Sequence, residues 1–270
     1  MGSYVAAIAQ ALDARGVSSQ AVLRRAGIDH VPRNDPLDRV PVGSIAVLLD
    51  AAVDATGDPY FGLFAADFMH ATTFHALGYT LLASDSLRDF CQRVSRHFRF
   101  AAQSATPRFD PTAASLEFVR VTEIPPLTDD IVGLFLVRLI RELSHDTVRP
   151  IGVALHRPTP PDGGTRHRNA FRCELGFGAA NTTFRFSPAA LDVPFIGASH
   201  ELAEHNEKFL IAHRALYALA DGDANDSGMS MTEIAYLLGF ADRRRFSSAL
   251  RCWAGAIPRE HRVRPHRIRL

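Results

Sequence analysis

Ser230-Met-Thr-Glu-Ile-Ala-Tyr-Leu-Leu-Gly-Phe-Ala-Asp-Arg-Arg-Arg-Phe-Ser-Ser-Ala-Leu-Arg-Cys-Trp-Ala-Gly255 is the stretch whose pattern settles how the C-terminal end of the chain is read. Ser230 and Glu233 form a capping box, S-x-x-E, in front of Ile234-Ala-Tyr-Leu-Leu238, which predicts a short helix ending at Gly239. Ala241-Asp242 offers a second N-cap, and Arg243 to Ala254 reads as a second helix closed by Gly255. On that helix Phe246, Ala249, Leu250 and Trp253 recur at i, i+3, i+4, i+7 and make one apolar stripe. Arg244, Ser248 and Arg251 fall opposite it, with Arg243 and Ser247 flanking them. Two helices around a glycine turn, the second apolar on one side and Arg/Ser on the other, describe a helix-turn-helix with its recognition helix. The plainer reading is a basic helical hairpin that only packs on the rest of the chain.

Charge follows the same division. Residues 229–270 hold nine arginines against three acids, a net +6, while the whole 270-residue chain carries only +1, which leaves −5 for residues 1–228. An acidic body with a basic end points to an anionic partner for that end. Asp221-Gly-Asp-Ala-Asn-Asp-Ser-Gly228 has no apolar residue larger than alanine and reads as a linker. It does not fit a calcium loop: Asp226 stands where the turn needs glycine, and Thr232 where a bidentate glutamate belongs.

Residues 1 to about 198 mix helix and strand signals. Helices are predicted over Tyr4–Leu12 up to Gly16, from a Ser18-Ser19 cap to Arg25, and from Val42 to Ala55 before Gly57. Another starts at a Ser84 or Asp85 cap and carries the stripe Leu87, Phe90, Cys91, Val94, Phe98. Alternation predicts strands around Leu116 and Phe118, around Ile151, Val153 and Leu155, and around Phe184 and Phe186. Between the first two lies a helix from about Asp129 to Ser144, with Thr128 as its N-cap and two acids in its first turn. Pro158 to Gly164 is a loop by composition, and 200–220 reads as a further helix. The body is therefore an α/β or α+β domain, followed by a helical and flexible connection over 199–228 and a small all-α unit over 229–270.

Most chemical motifs fail on spacing. His200-Glu-Leu-Ala-Glu-His205 resembles H-E-x-x-H, but histidines five apart diverge around a helix and cannot share a zinc. Gly176-Phe-Gly178 lacks the third glycine of a dinucleotide fingerprint, and no nucleophile elbow or phosphate loop occurs. Three scattered cysteines without C-x-x-C argue against a disulfide framework or zinc ribbon and fit a reducing cytosol. No signal peptide or membrane span is expected, and the expected location is cytoplasmic. No catalysis, metal or cofactor is expected. Arg93, Arg96 and His97 share a helix face opposite the Leu87–Phe98 stripe and are candidates to hold an acidic ligand; a solvated polar face is the plainer reading.

The C-terminal residues resemble the second helix-turn-helix of the AraC/XylS family of bacterial transcription regulators. The family pattern is supplied by Ile234, Ala235, Gly239, Phe240, Phe246, Arg251, Trp253, Gly255, Pro258 and Arg262, with departures at Leu250, Ser248 and His261. Leu77-Gly-Tyr-Thr-Leu-Leu-Ala-Ser-Asp-Ser-Leu-Arg88 is similar to a segment of the arabinose-binding-type N-terminal domain in one branch of that family. So are Phe171 to Asn181, Phe184-Arg-Phe186 and Leu191-Asp-Val-Pro194. Family members carry two helix-turn-helix subdomains joined by a long helix; the pattern of the first is missing here.

The resemblance implies ligand-responsive control of transcription, with double-stranded DNA and a small-molecule effector as partners and a homodimer as the working form. Arg243, Arg244, Ser247, Ser248 and Arg251 would face the major groove, and Arg262, Arg264, Arg267 and Arg269 would neutralise phosphates. The alternative is a small-molecule-binding or dimerisation protein whose vestigial helix-turn-helix does not read DNA.

Overall fold

The computed structural model describes residues 2–31, 40–102, 104–199 and 201–207, and beyond them 210, 232, 235, 236, 241, 242 and 244–246. The chain divides into two compact units, residues 1–203 and 204–270.

The N-terminal unit opens with three helices, α1 (Gly2–Ala14), α2 (Ser19–Arg25) and α3 (Val42–Thr56). Their ends follow the local signals: Ser18 Oγ accepts the Ala21 N–H, and Gly57 closes α3 in the left-handed region at φ 63°. Next come α4 (Phe61–Ala65), α5 (His75–Leu82) and α6 (Leu87–His97). The cap of α6 is Ser86, not Ser84 or Asp85: its Oγ accepts the Asp89 N–H at 3.2 Å. Leu87, Phe90, Cys91, Val94 and Phe98 are all buried, as the 3.6-residue period requires.

A five-stranded sheet follows, built from β1 (Ala105–Asp110), β2 (Ser115–Arg120), β3 (Gly152–Ala154), β4 (Glu174–Gly176) and β5 (Thr182–Arg185). Its order is β1-β2-β5-β3-β4, antiparallel except for the parallel β3–β4 pair. Two strands lie outside the expected ones. β1 contains Pro107, a strand breaker by composition, and is accommodated because β1 is an edge strand whose free side needs no donor. β4 is only three residues long and ends at Gly176, so the glycine pair that follows it lies between two strands. β3 and β4 are linked by the Pro158–Gly164 loop and α8 (Thr165–Phe171), a compact βαβ unit. Ile151 precedes β3 and is 55% exposed, whereas Val153 and Leu155 are buried.

Helix α7 (Pro126–Leu143) starts one turn earlier than expected, with Pro125 at the cap and Pro126 at the first position. Proline suits that position because its missing N–H would have no helical partner there. Ile131, Leu134, Phe135, Leu136, Val137, Leu139 and Ile140 are all buried, so the helix is enclosed around its circumference rather than along one stripe. Its Gly133 lets Phe171 and Phe184 approach, and Phe135 stacks on Phe74 at a centroid distance of 4.7 Å.

The segments singled out by resemblance meet in space. At Gly78 a Cβ would lie 1.7 Å from the Ala71 carbonyl oxygen, so glycine is obligatory where α5 crosses the turn before it. Arg88 forms a two-point ion pair with Asp192, at 2.6 and 2.9 Å, and Phe195 N–H donates to the Asp85 carbonyl. Leu191–Pro194 is thus the strap that holds the start of α6.

Candidate functional site

Between α7 and the sheet lies a partly open cavity of about 60 Å³. Phe118 of β2 and Phe184 of β5 form one wall, and Phe98, just after α6, closes a side. Phe98 meets Phe118 edge-on at 5.0 Å, and Phe118 meets Phe184 at 5.9 Å. The opposite wall is the face of α7 carrying Asp129, Val132, Gly133 and Leu136, with Ile124 just before the helix. The strand period places Phe118 and Phe184 inward because neighbouring Leu116, Phe118 and Phe184 occupy paired registers of β2 and β5.

Few polar groups reach this space. Thr182 Oγ1 donates to Asp129 Oδ1 at 2.7 Å while accepting the His156 N–H at 3.1 Å. Burial nevertheless holds the Asp129 carboxyl above the ordinary aspartate value, because it disfavours the charged form more than this donor favours it. Arg120, at the end of β2, pairs through one terminal nitrogen with Glu123 at 3.0 Å, and its backbone N–H is received by Asn181. Its Nε is buried without a hydrogen-bond partner.

Behind Asp129 sits a second polar group. Asp130 accepts from Arg157 and lies 2.9 Å from His167 Nε2, which is also 2.9 Å from the Arg157 guanidinium. Asp130 and His167 are fully buried and Arg157 is 6% exposed. Tyr60 and Phe177 pack on the His167 ring, and Gly62 leaves the room that Asp130 occupies: a Cβ there would lie 2.9 Å from its own Cβ. The Tyr4 phenol, close to both aspartates, is pushed up by burial.

A larger concavity of about 520 Å³ lies over the C-terminal end of α7, lined by Arg138, Arg141, Glu142, His145 and Asp146. It is open to solvent, and its arginines are already paired, Arg138 with Asp67 and Arg141 with Asp146. Ligand sites are mostly apolar with a few placed polar groups, so the cavity beneath α7 is the better candidate.

Arg93, Arg96 and His97 do not line the cavity, and the solvated-face reading holds for Arg96 alone. Arg93 and His97 are 8% and 6% exposed, and Arg93 pairs with Asp89 one turn earlier at 2.7 Å. Both lie beside the stripe on a helix that packs on α5 and β1. Asp129 and Arg120, by contrast, carry no motif. The only local hint was that Asp129 begins a helix and Phe118 and Phe184 alternate inward.

Of the DNA-facing candidates, Arg244 is described: it is helical and exposed. Asp242 caps that turn, its Oδ1 accepting the N–H groups of Arg244 and Arg245 at 2.7 and 2.8 Å, and those bonds lower its carboxyl below the usual value. Phe246 and Ala235 are buried. Arg243, Ser247, Ser248, Arg251, Arg262, Arg264, Arg267 and Arg269 lie outside the described residues. Among the described residues no helix is long and apolar enough to cross a membrane.

An α-helical frame thus surrounds a short mixed sheet, with a small, mostly apolar cavity between α7 and the sheet. Residues 16–195 match the arabinose-binding domain of AraC transcription regulators, N-terminal, and the chain belongs to that family of transcription regulators. The structure is similar to that of the transcriptional regulator CdpR from Pseudomonas aeruginosa, with a TM-score of 0.54 and 13% identity, covering 95% of this chain and 96% of that one. A comparison with curated proteins finds no match.

Proposed function

We propose that the chain is an effector-responsive transcription regulator. The N-terminal unit would receive a small molecule in the cavity beneath α7, and one helix-turn-helix per protomer would read double-stranded DNA. The observation that carries this reading is the match of residues 16–195 to the family's arabinose-binding domain, on a unit that holds a mostly apolar cavity. The Asp242 cap with exposed Arg244 in the turn it caps, and the +6 charge of residues 229–270, support the DNA-reading half. No catalytic step belongs to this function, and the place of action is the cytoplasm.

Within it, Arg243, Arg244, Ser247, Ser248 and Arg251 face base edges, while Arg262, Arg264, Arg267 and Arg269 contact phosphates. Binding isotherms at several salt concentrations, on duplexes selected by the protein and on scrambled ones, test this. Arg244→Ala is expected to lose about 1–3 kcal/mol on the selected duplex only. Arg269→Ala is expected to weaken both duplexes alike and to lower the slope of log affinity against log salt by about one. Equal losses on both duplexes for both variants would reduce the arginines to an electrostatic patch. That outcome would favour the second reading, a sensor or dimerisation protein with a vestigial DNA-binding end, which the single helix-turn-helix pattern also accommodates.

A further inference from the structure

We propose that residues 191–203 form a hinged clasp, which couples the ends of α5, α6 and α7 to the stretch of chain leading to residue 204. Its regulatory sense rests on the function proposed above, whereas the clasp itself rests on the N-terminal unit alone.

Fastenings from all three helices converge on this stretch. At the start of α6 the Arg88 N–H donates to the Leu191 carbonyl at 2.8 Å, and the Arg88 side chain holds Asp192 at 2.6 and 2.9 Å. The Phe195 N–H donates to the Asp85 carbonyl at 2.8 Å, and its ring meets Phe90 of α6 edge-on at 6.4 Å. The Ile196 N–H donates to the carbonyl of Leu143, the last residue of α7, at 2.9 Å. The Ser199 N–H donates to the Ala83 carbonyl, just after α5, at 3.3 Å. Ser199 also starts the helix over residues 201–207: its Oγ accepts the Leu202 N–H at 3.2 Å and its carbonyl the Ala203 N–H at 2.9 Å. The residue that begins this helix is thus the one that ties it to α5.

Between the fastenings to α7 and to α5 lies a hinge. Ile196, Gly197 and Ala198 are exposed, whereas Leu191 and Phe195 before them and Ala203 after them are buried. Gly197 sits in the left-handed region at φ 82°, with open space where a Cβ would stand, so rotation there meets no side chain. The Arg88–Asp192 pair is solvent-exposed, and an exposed pair is weak and screened by salt, so the clasp can open without disturbing the core. Phe98, just after α6, and Val132 and Leu136 of α7 wall the cavity at the other side of these helices. A helix displaced there moves as a rigid body and pulls on the clasp at its fastened end.

Hydrogen exchange of the full chain, with neither effector nor DNA present, tests the clasp segment by segment. Asp192→Ala is expected to raise amide exchange roughly tenfold at 195–199, at 201–207 and in the last turn of α7, with α1 to α3 unchanged. Salt at about 1 M is expected to do the same to the unaltered chain. Arg88→Asp combined with Asp192→Arg is expected to restore the original exchange. Gly197→Ala, strained in the left-handed region, is expected to raise exchange at 201–207, and no rise there overturns the hinge. If Asp192→Ala raises exchange only at 191–194, or nowhere, the pair is a local contact and the proposal is overturned. An equal rise throughout the N-terminal unit overturns it too, because that reports a general loss of stability. A chain that binds no duplex would overturn the DNA-reading half of the proposed function and leave the exchange result, and the clasp, standing.

Discussion

Asp129 and Asp130 are adjacent on α7, yet their carboxyls enter two different networks. Asp129 turns to the cavity and is held by Thr182 at 2.7 Å; Asp130 turns away and joins Arg157 and His167. Neighbouring residues join the two: the His156 N–H donates to Thr182 in the first, and the Arg157 guanidinium serves Asp130 in the second. One turn of helix therefore ties the cavity floor to a buried ionic group on the βαβ unit, so that the geometry of the two is set together.

The buried group should be expensive to break and cheap to replace whole. Asp130→Ala leaves the Arg157 guanidinium buried without its carboxylate and is expected to cost about 3–5 kcal/mol. The triple variant Asp130→Leu, Arg157→Met, His167→Leu is expected to recover most of that loss. Calorimetric unfolding measures both. A loss below about 1 kcal/mol for Asp130→Ala, the range of exposed pairs, would show that water reaches the group.

Gly78→Ala is expected to lower stability by more than the usual 1–3 kcal/mol or so of core overpacking, because the Ala71 carbonyl in its way is backbone and cannot swing aside. Gly43→Ala is the control. It lies in the first turns of α3 with nothing near, and alanine there should be neutral or stabilising by up to about 1 kcal/mol. Parallel melting curves decide; equal effects at the two sites would contradict the packing of α5 on its preceding turn.

Two aspartates should titrate on opposite sides of the ordinary value, about 3.9. Asp129 is raised by burial, so its favourable contribution is complete below the unfolded value and is lost as pH rises through the higher folded one. Asp146 is lowered to about 2 by its hydrogen bond to Arg141, with Arg149 adding to it, so its contribution is present above the unfolded value and lost as pH falls towards 2. Carbon-detected NMR titration of the side-chain carboxyls reads both. Asp129 titrating below 3.9, or Asp146 at it, would refute the respective environment.

The functional form is expected to be a dimer. One helix-turn-helix covers one half-site, and paired half-sites about 34–36 Å apart recover the affinity that a single one lacks. Sedimentation of the full chain at micromolar concentration, alone and with a selected duplex, is expected to give a species of twice the chain mass. A monomer in both conditions would exclude it.

The sequence by itself determined those features whose causes lie within a few residues. The ends of α1, α2 and α3, the buried stripe of α6, the inward alternation of β2 and β5, and the Asp242 cap are all present in the structure. Caps and periodicity are local chemistry, readable from neighbours in the chain. Tertiary structure alone decided the rest. Pro107 could enter a strand because that strand came to lie at the sheet edge, and β4 formed because α8 delivered three residues beside β3. Arg93 and His97 became buried because other elements, β1 and α5 among them, pack on α6. The partner that defines Asp129 is Thr182, 53 residues away, and the cavity beside them is bounded by residues from 98 to 184. Burial and pairing of that range depend on how distant segments pack, and packing responds to volume and shape rather than to any short motif.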